Sequence, residues 1–438
     1  DYKVTGVQTC ALPIWSSGAT QIKALSGGEV AVSGDVAGRT AWTLDGSGGA
    51  FDVSGVTRLS DAVVNVSGGS VVAFSSATSL ARSTLMATNR GQILFPVVTS
   101  YVGDDHAHTT IEANGVGSRI DLSSLATFEG GGEFWQLYPG WADRGYWTNY
   151  TTYVKALAGG EVDLSGVLSH RSEVTVDGAG SLLGVSGITE LGGTVLSVTT
   201  PGTLTFDSVS QVLDSSLTAG ANVSLVLPVA ATLTNVSLYA TAGGQILFPV
   251  ATSYAGAAVI EANGVGSRID LSHLVTFVGR GAGAYVRALA GGEVDLAGAL
   301  NGGNITVDGA GSVLGVTGIT ALGGTVLSVS TPGALTFDSV TDVKDTSLTA
   351  AANVTLALPQ VTLLQRVSLS AADGGDISFP AVTTLDGVNL RATSGGEIFF
   401  PVVTSYVGND HAHTTIEASG VGSRIDLSSL ATFEGGGE

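Results

Sequence analysis

A glycine-led segment of alternating apolar residues recurs along almost the whole chain, at intervals of roughly 21 residues. In its clearest copies, which begin at Gly91, Gly244 and Gly396, an aliphatic residue, an aromatic residue and a proline follow at fixed offsets. Looser copies bring the number to about eighteen. These begin at Gly28, Gly49, Gly69, Gly117, Gly160, Gly180, Gly202, Ala221, Gly266, Gly292, Gly311, Gly333, Ala352, Gly375 and Gly422.

The spacing inside each copy is that of short β-strands joined by tight corners. A second alternating segment precedes each glycine pair, as at Leu85–Ala87 and Leu238–Ala240. Alternation places one set of side chains inward and the other outward, while the glycine pairs supply the positive φ angles that corners need. A proline also recurs at one position, and since it has no N–H to donate, that position must be a corner or a strand end. Its copies are Pro96, Pro228, Pro249, Pro359, Pro380 and Pro401.

These patterns predict an all-β chain, folded as a parallel β-solenoid of about 18 rungs of roughly 21 residues each. A right-handed β-helix is favoured, because the strict six-residue period typical of left-handed solenoids is missing from the sequence. The 63 glycines argue against long helices, and a charged fraction of only 12% argues against a disordered chain.

Charge and hydropathy narrow the classes of partner. The formal net charge of −20 repels phosphate backbones and anionic membrane surfaces, so nucleic acid is not expected as a partner. No run of about eighteen apolar residues is present, so we expect no transmembrane helix in this sequence.

Two features bear on domain organisation. Residues 4–14, VTGVQTCALPI, resemble the translation of a common sequencing-adapter oligonucleotide. We therefore expect residues 1–15, with the single cysteine Cys10, to be an unstructured artefact outside the fold. Residues 16–438 are then one continuous solenoid with an aromatic-rich insertion at 131–153, and we expect the natural protein to extend beyond both ends.

The rungs are themselves grouped into a longer sequence repeat. The string IEANGVGSRIDL at 111–122 returns at 260–271 and, with one change, at 416–427. This recurrence predicts a tandemly duplicated block of six rungs, about 150 residues long.

The insertion holds three of the five tryptophans and is the first candidate site. Exposed aromatic rings stack on sugars or anchor partner proteins, whereas the alternative is a loop that packs back on the flank of the solenoid. The residues predicted to bind are Trp135, Tyr138, Trp141, Tyr146 and Trp147.

The second candidate is a His-x-His pair that occurs twice, as His106 and His108 and as His411 and His413. On an extended segment both imidazoles would point the same way, as a metal site requires, but a third firm ligand is not evident and a solvated loop is the alternative. We expect no other cofactor, apart from weak and unspecific Ca²⁺ binding at acidic corners.

Two repeated patterns are expected to be structural. Arg119 and Asp121, which recur as Arg268 and Asp270, predict an outward ladder of salt bridges between neighbouring rungs. A broken column of threonines, which includes Thr57, Thr99 and Thr252, is attributed to ordinary β propensity rather than to ice binding.

The rung pattern and block duplication over residues 16–438 resemble bacterial surface β-helix repeat proteins of the filamentous haemagglutinin and autotransporter-passenger kind. That resemblance implies an extracellular or cell-surface location and a structural or adhesive role, with glycans or a neighbouring cell surface as partners. A polysaccharide lyase or glycoside hydrolase is the main alternative, since such enzymes also use β-helices, and a passive matrix or surface-layer scaffold is another. We expect no enzyme, because carboxylates are spread along the chain and near-identical blocks do not build one specialised site.

Overall fold

The computed structural model describes residues 3–5, 18–137, 145–351, 353–409 and 413–436. It confirms the predicted fold class: an all-β parallel solenoid of about 18 turns of roughly 21 residues. Each turn carries three short strand segments, which form three stacks that we call first, second and third in chain order. The chain divides into two compact units, unit 1 from Asp1 to Pro228 and unit 2 from Val229 to Glu438.

In unit 1, successive strands along the chain belong to the first, second and third stacks in turn. The first stack holds Thr20–Ala24, Thr40–Leu44, Ala62–Val66, Thr84–Thr88, Thr109–Asn114, Thr152–Leu157, Ser172–Asp177, Thr194–Val198 and Ser216–Ala219. The second holds Val71–Ala73, Gln92–Leu94, Arg119–Leu122, Gly202–Thr205 and Val223–Val226, and the third holds Ser79–Ala81, Ser100–Val102, Thr127–Glu129 and Gln211–Leu213. Four longer strands run through both the second and third stacks: Glu29–Val36, Ala50–Ser60, Glu161–Ser169 and Leu182–Gly192.

Unit 2 repeats this arrangement. Its first stack holds Ser237–Thr241, Val259–Asn263, Tyr285–Leu289, Asn304–Asp308, Val326–Val329, Ser347–Ala350, Ser368–Ala372, Asn389–Thr393 and Ile416–Ser419. The second holds Gln245–Leu247, Arg268–Leu271, Gly333–Thr336, Val354–Ala357, Asp376–Ser378, Glu397–Phe399 and Arg424–Asp426. The third holds Thr232–Thr234, Ser253–Gly256, Thr276–Gly279, Asp342–Lys344, Leu363–Gln365, Thr384–Asp386, Ser405–Val407 and Thr432–Glu434, while Glu293–Asn301 and Val313–Gly323 run through both.

Neighbouring rungs pair in parallel and in register, so identical positions stack. Ile111 lies opposite Val154 in unit 1, and Ile260 lies opposite Val286 in unit 2. Inward residues are buried while their neighbours are half-buried, which is the alternation predicted for each strand. Handedness stays a prediction.

Aromatic residues of successive rungs stack inside the core. The rings of Phe74 and Phe95 lie 4.7 Å apart and nearly parallel, as do those of Tyr101 and Phe128 at 4.7 Å. These centroid distances match the strand spacing of a sheet, so one ring per rung fills the same place in the core.

The long strands turn a corner without breaking. Gly166 adopts a φ of 81° inside Glu161–Ser169, next to a shift in register, and a Cβ there would lie 2.2 Å from the carbonyl oxygen of Ala126. The position therefore requires glycine on two grounds, backbone angle and space. The recurring prolines are also confirmed as corner residues, since Pro96 and Pro249 begin the turns that follow second-stack strands.

The predicted six-rung block is wrong for its second copy. Six first-stack strands run from Thr109–Asn114 to Ser237–Thr241, but seven run from Val259–Asn263 to Asn389–Thr393. The additional turn contains Ser368–Ala372, which pairs in register with first-stack strands on both sides. One whole rung can be added because it brings its own strand to every stack and shifts no register.

Outside the solenoid, Lys3–Thr5 form a short strand that pairs antiparallel with Glu29–Ala31, so these three residues have strand geometry. The foreign origin of residues 1–15 stays a prediction. The one helix among the described residues is a single 3-10 turn, Gly281–Gly283, and no helix there is long and apolar enough to cross a membrane.

Candidate functional site

Rungs that exceed the regular length carry most of their extra residues at one corner, between the third and first stacks. In unit 1 the segment 103–108 leaves the solenoid after Ser100–Val102, and residues 130–151 leave it after Thr127–Glu129. In unit 2 the residues between Thr276–Gly279 and Tyr285–Leu289, and those after Ser405–Val407, lie at the same corner. The two insertions of unit 1 leave the solenoid on adjacent rungs, at the same corner.

The predicted aromatic insertion is an antiparallel hairpin of Glu133–Leu137 and Gly145–Asn149. Its backbone pairing places Trp135 opposite Trp147 and Gln136 opposite Tyr146. The side chains of Trp135, Tyr146 and Trp147, and all of Tyr138 and Trp141, lie outside the described residues, so binding by these five residues stays a prediction. The insertion predicted at 131–153 ends sooner, since Thr152 already begins a first-stack strand.

The base of the hairpin is tied to the solenoid. The amide of Gly130 donates to the carbonyl of Ser169 at 2.8 Å, and the amide of Tyr150 donates to the carbonyl of Gly132 at 2.9 Å. Arg171 forms an ion pair with Glu133, the first residue of the hairpin. The hairpin therefore rises from a base that the solenoid itself fixes.

His106 and His108 have different neighbours. Nδ1 of His106 lies 2.5 Å from an oxygen of Asp105 and 3.8 Å from one of Asp104, and these three side chains can bring ligand atoms within 4.8 Å of one another. Nδ1 of His108 accepts a hydrogen bond from the amide of Thr151 at 3.0 Å.

The ring of His108 also lies 5.4 Å from that of Tyr150 and 5.5 Å from that of Tyr153. Residues 104–108 are not a strand, so alternation does not aim the two imidazoles together. His413 is exposed, and His411 lies outside the described residues. Metal binding by these histidines stays a prediction.

A chain of buried hydroxyls lies beneath the corner in unit 1. The hydroxyl of Tyr101 donates to Oγ1 of Thr109 at 2.9 Å, and that atom lies 2.8 Å from Oγ1 of Thr152. Burial raises the pKa of Tyr101 to about 12, so the phenol stays protonated and able to donate. This chain links three successive rungs below the point where the two insertions leave them.

The turn that supports the hairpin was not predicted from the sequence. His170 and Arg171 adopt φ angles of 51° and 44°, although side chains rarely occupy this region. At the corresponding turn of unit 2 both left-handed positions are glycine, Gly302 and Gly303. The signal was available in the sequence as SHRSE at 169–173 against NGGN at 301–304.

The repeated arginines form the predicted ladder. Arg119 lies 2.6 Å from Asp163 and 3.3 Å from Glu161 of the next rung, and Arg268 repeats both distances with Asp295 and Glu293. Burial alone would lower the pKa of Arg119, but its hydrogen bond to Asp163 and the nearby carboxylates raise it. These contacts hold rungs in register and use no exposed cleft.

The threonine column is also structural. The hydroxyl of Thr99 donates to the carbonyl of Thr78 at 3.2 Å, and that of Thr404 donates to the carbonyl of Thr383 at 3.3 Å. Each hydroxyl thus bonds to the neighbouring rung.

Comparison with known proteins gives little. No protein-family model matches the chain, and no curated protein matches it. Among solved structures, the chain is similar to a crystal structure described as a TibC-catalysed hyper-glycosylated fragment of TibA, at 9% identity and a TM-score of 0.26, with 82% of this chain and 100% of that chain covered. At this identity and score, neither a function nor a ligand is carried over.

Proposed function

We propose that this chain is a structural and adhesive repeat segment of a secreted or cell-surface protein, with its binding surface at the third-to-first corner of unit 1. We name this surface the corner cluster: residues 103–108, the hairpin 133–149 and the turn 169–173. The solenoid spaces and presents it, and glycans or a neighbouring cell surface are its partners.

One observation carries the proposal. Two blocks of closely similar sequence build the same corner. After Thr127–Glu129 the corner carries a long, aromatic-rich hairpin, and after the equivalent strand Thr276–Gly279 it carries the three-residue turn Gly281–Gly283. A hairpin that served only the core would be expected in both blocks. Surface loops on a rigid scaffold are where binding residues concentrate, and aromatic side chains supply much of the energy of recognition.

The deciding experiment replaces residues 130–151 by the short unit 2 counterpart, 279–283. We expect binding to glycan arrays and to cultured cells to be lost, while the thermal unfolding midpoint stays within a few degrees, because the rungs on both sides keep their pairing. The substitution Trp147→Ala tests the same surface with one side chain.

A reciprocal graft is the control. Moving the hairpin to the Gly281–Gly283 position of a chain that lacks its own hairpin should restore binding if the hairpin is the adhesive element. Undiminished binding after removal of the hairpin would show that the adhesive surface lies elsewhere, and an absence of binding by the full chain would leave a scaffold role alone.

A further inference from the structure

We infer that the cavity at the base of the hairpin binds one neutral sugar residue of a glycan. The inference rests on the proposed adhesive function and gives it a specific site. The cavity has a volume of about 670 Å³, within the range of small-molecule pockets. It lies between the hairpin base and the turns of the next rungs, and its lining includes Glu133, Arg171, Glu173, Val195 and Asp214.

The polar groups of the cavity match sugar hydroxyls. Glu133, Glu173 and Asp214 supply carboxylate acceptors, and the Arg171 guanidinium supplies several N–H donors in a fixed plane. Within the described ranges, the half-buried carboxylate of Glu173 has no ion-pair or hydrogen-bond partner. A half-buried acceptor beside an open cavity is suited to a hydroxyl from a ligand.

Charge selects the class of sugar. The lining holds three carboxylates and one guanidinium, and that guanidinium is already paired with Glu133. Excess negative charge repels sialic and uronic acids, but it accepts hydrogen bonds from neutral hydroxyls. The apolar face of a pyranose ring would lie against Val195, which is 46% exposed, and against Leu213.

The turn supports the same interpretation. His170 and Arg171 hold left-handed backbone angles that unit 2 assigns to glycine, and Arg171 reaches both the hairpin and the cavity from this turn. Left-handed arginines also occur at Arg82 and Arg366, where each pairs with an aspartate of the preceding rung, whereas Arg171 pairs with Glu133 of the hairpin. Unit 2 also has an amide in place of the Glu173 carboxylate, because Asn304 occupies the register position that Glu173 has in unit 1.

The test measures binding of the full chain to an array of neutral, sialylated and uronic-acid oligosaccharides. We expect neutral glycans to bind and the acidic sets not to bind. Glu173→Gln should weaken binding by about tenfold, through loss of a charge-assisted hydrogen bond. The matched control Asn304→Asp, at the same register in unit 2, should leave binding unchanged.

A second variant protects the test against misfolding. Replacing His170→Gly and Arg171→Gly together places glycine at both left-handed positions, as at Gly302 and Gly303 in unit 2, so we expect the unfolding midpoint to be kept while binding falls. If both variants bind like the parent chain while the chain still adheres to cells, the cavity inference is wrong and the adhesive function stands. Binding to acidic glycans alone would also overturn the inference, and failure of the full chain to adhere to glycans and cells would overturn both.

Discussion

Unit 1 and unit 2 build the same corner and use it differently. Phe128 precedes the corner in unit 1 and Phe277 in unit 2, and each pairs in register with a leucine of the next rung, Leu168 or Leu300. Between these equivalent strands and the next first-stack strand, unit 1 carries a hairpin and unit 2 a single 3-10 turn. The core thus keeps the same packing whichever segment the corner carries, because neighbouring rungs are held together by their own backbone hydrogen bonds and stacked side chains. Function can vary at the corner without a change of fold.

The largest expected effect tests whether the two cores are equivalent. Phe128→Ala and Phe277→Ala should each destabilise the solenoid by ~3–5 kcal/mol, since both rings are buried and stacked, on Tyr101 at 4.7 Å and on Tyr254 at 4.9 Å. Chemical denaturation followed by circular dichroism measures the loss. Phe433, at the same position of the last rung and 63% exposed, is the control and should lose far less when changed to alanine. A large difference between Phe128 and Phe277 would show that the hairpin contributes to the core of unit 1.

An intermediate effect concerns how closely the first stack approaches the corner glycines. A Cβ on Gly160 would lie 2.1 Å from the carbonyl oxygen of Ala113, and one on Gly292 would lie 2.2 Å from that of Ala262. Gly160→Ala and Gly292→Ala should each cost ~1–3 kcal/mol, because backbone must move to admit the methyl group. Gly435→Ala, where a Cβ would meet nothing within 4 Å in this chain, controls for the substitution itself and should be neutral. Unequal losses, measured by thermal unfolding, would mean that the two blocks differ in backbone as well as in corner.

The smallest expected effect is a pH dependence shared by the two units. A hydrogen bond from Arg82 lowers the pKa of Asp61 in unit 1, and one from Arg366 lowers that of Asp345 in unit 2. A carboxyl with a lowered folded-state pKa stabilises the fold above its unfolded value of about 4, and this contribution is lost as the pH falls through the folded-state pKa. Asp61→Asn should therefore destabilise by less than ~1 kcal/mol at pH 7 and have almost no effect at pH 2. Asp345→Asn should do the same to a smaller extent, since that pair is more exposed. An effect that grows in acid would contradict the ion-pair explanation.

The fold could be predicted from the sequence because the residues of each rung contain the pattern that determines its strands and corners. Alternation at Ile111 and Ala113, the corner prolines and the Arg119 ladder are local patterns, and the structure confirms all of them. The number of rungs per block was harder to predict. The additional rung around Ser368–Ala372 resembles its neighbours so closely that the sequence pattern does not distinguish it from them.

The site was less predictable because it depends on contacts between irregular segments. The prediction that the imidazoles of His106 and His108 point the same way assumed the side-chain alternation of a strand. That alternation holds only for extended backbone, and residues 104–108 are not a strand. The support that Arg171 gives to Glu133 joins residues 38 positions apart, across an insertion whose length no repeat pattern specifies. Such a contact follows from the stacking of rungs and not from either segment alone.

Because oversized rungs add most of their extra length at the third-to-first corner, this corner is a natural attachment point for new sequence. The residue pairs Leu85 and Ile111, Ile111 and Val154, and Ile260 and Val286 are each in register on adjacent rungs, yet their separations along the chain differ. A foreign loop inserted between Gly279 and Tyr285 should thus be displayed without loss of the host fold, and peptides grafted at several such corners of one unit would form an evenly spaced array.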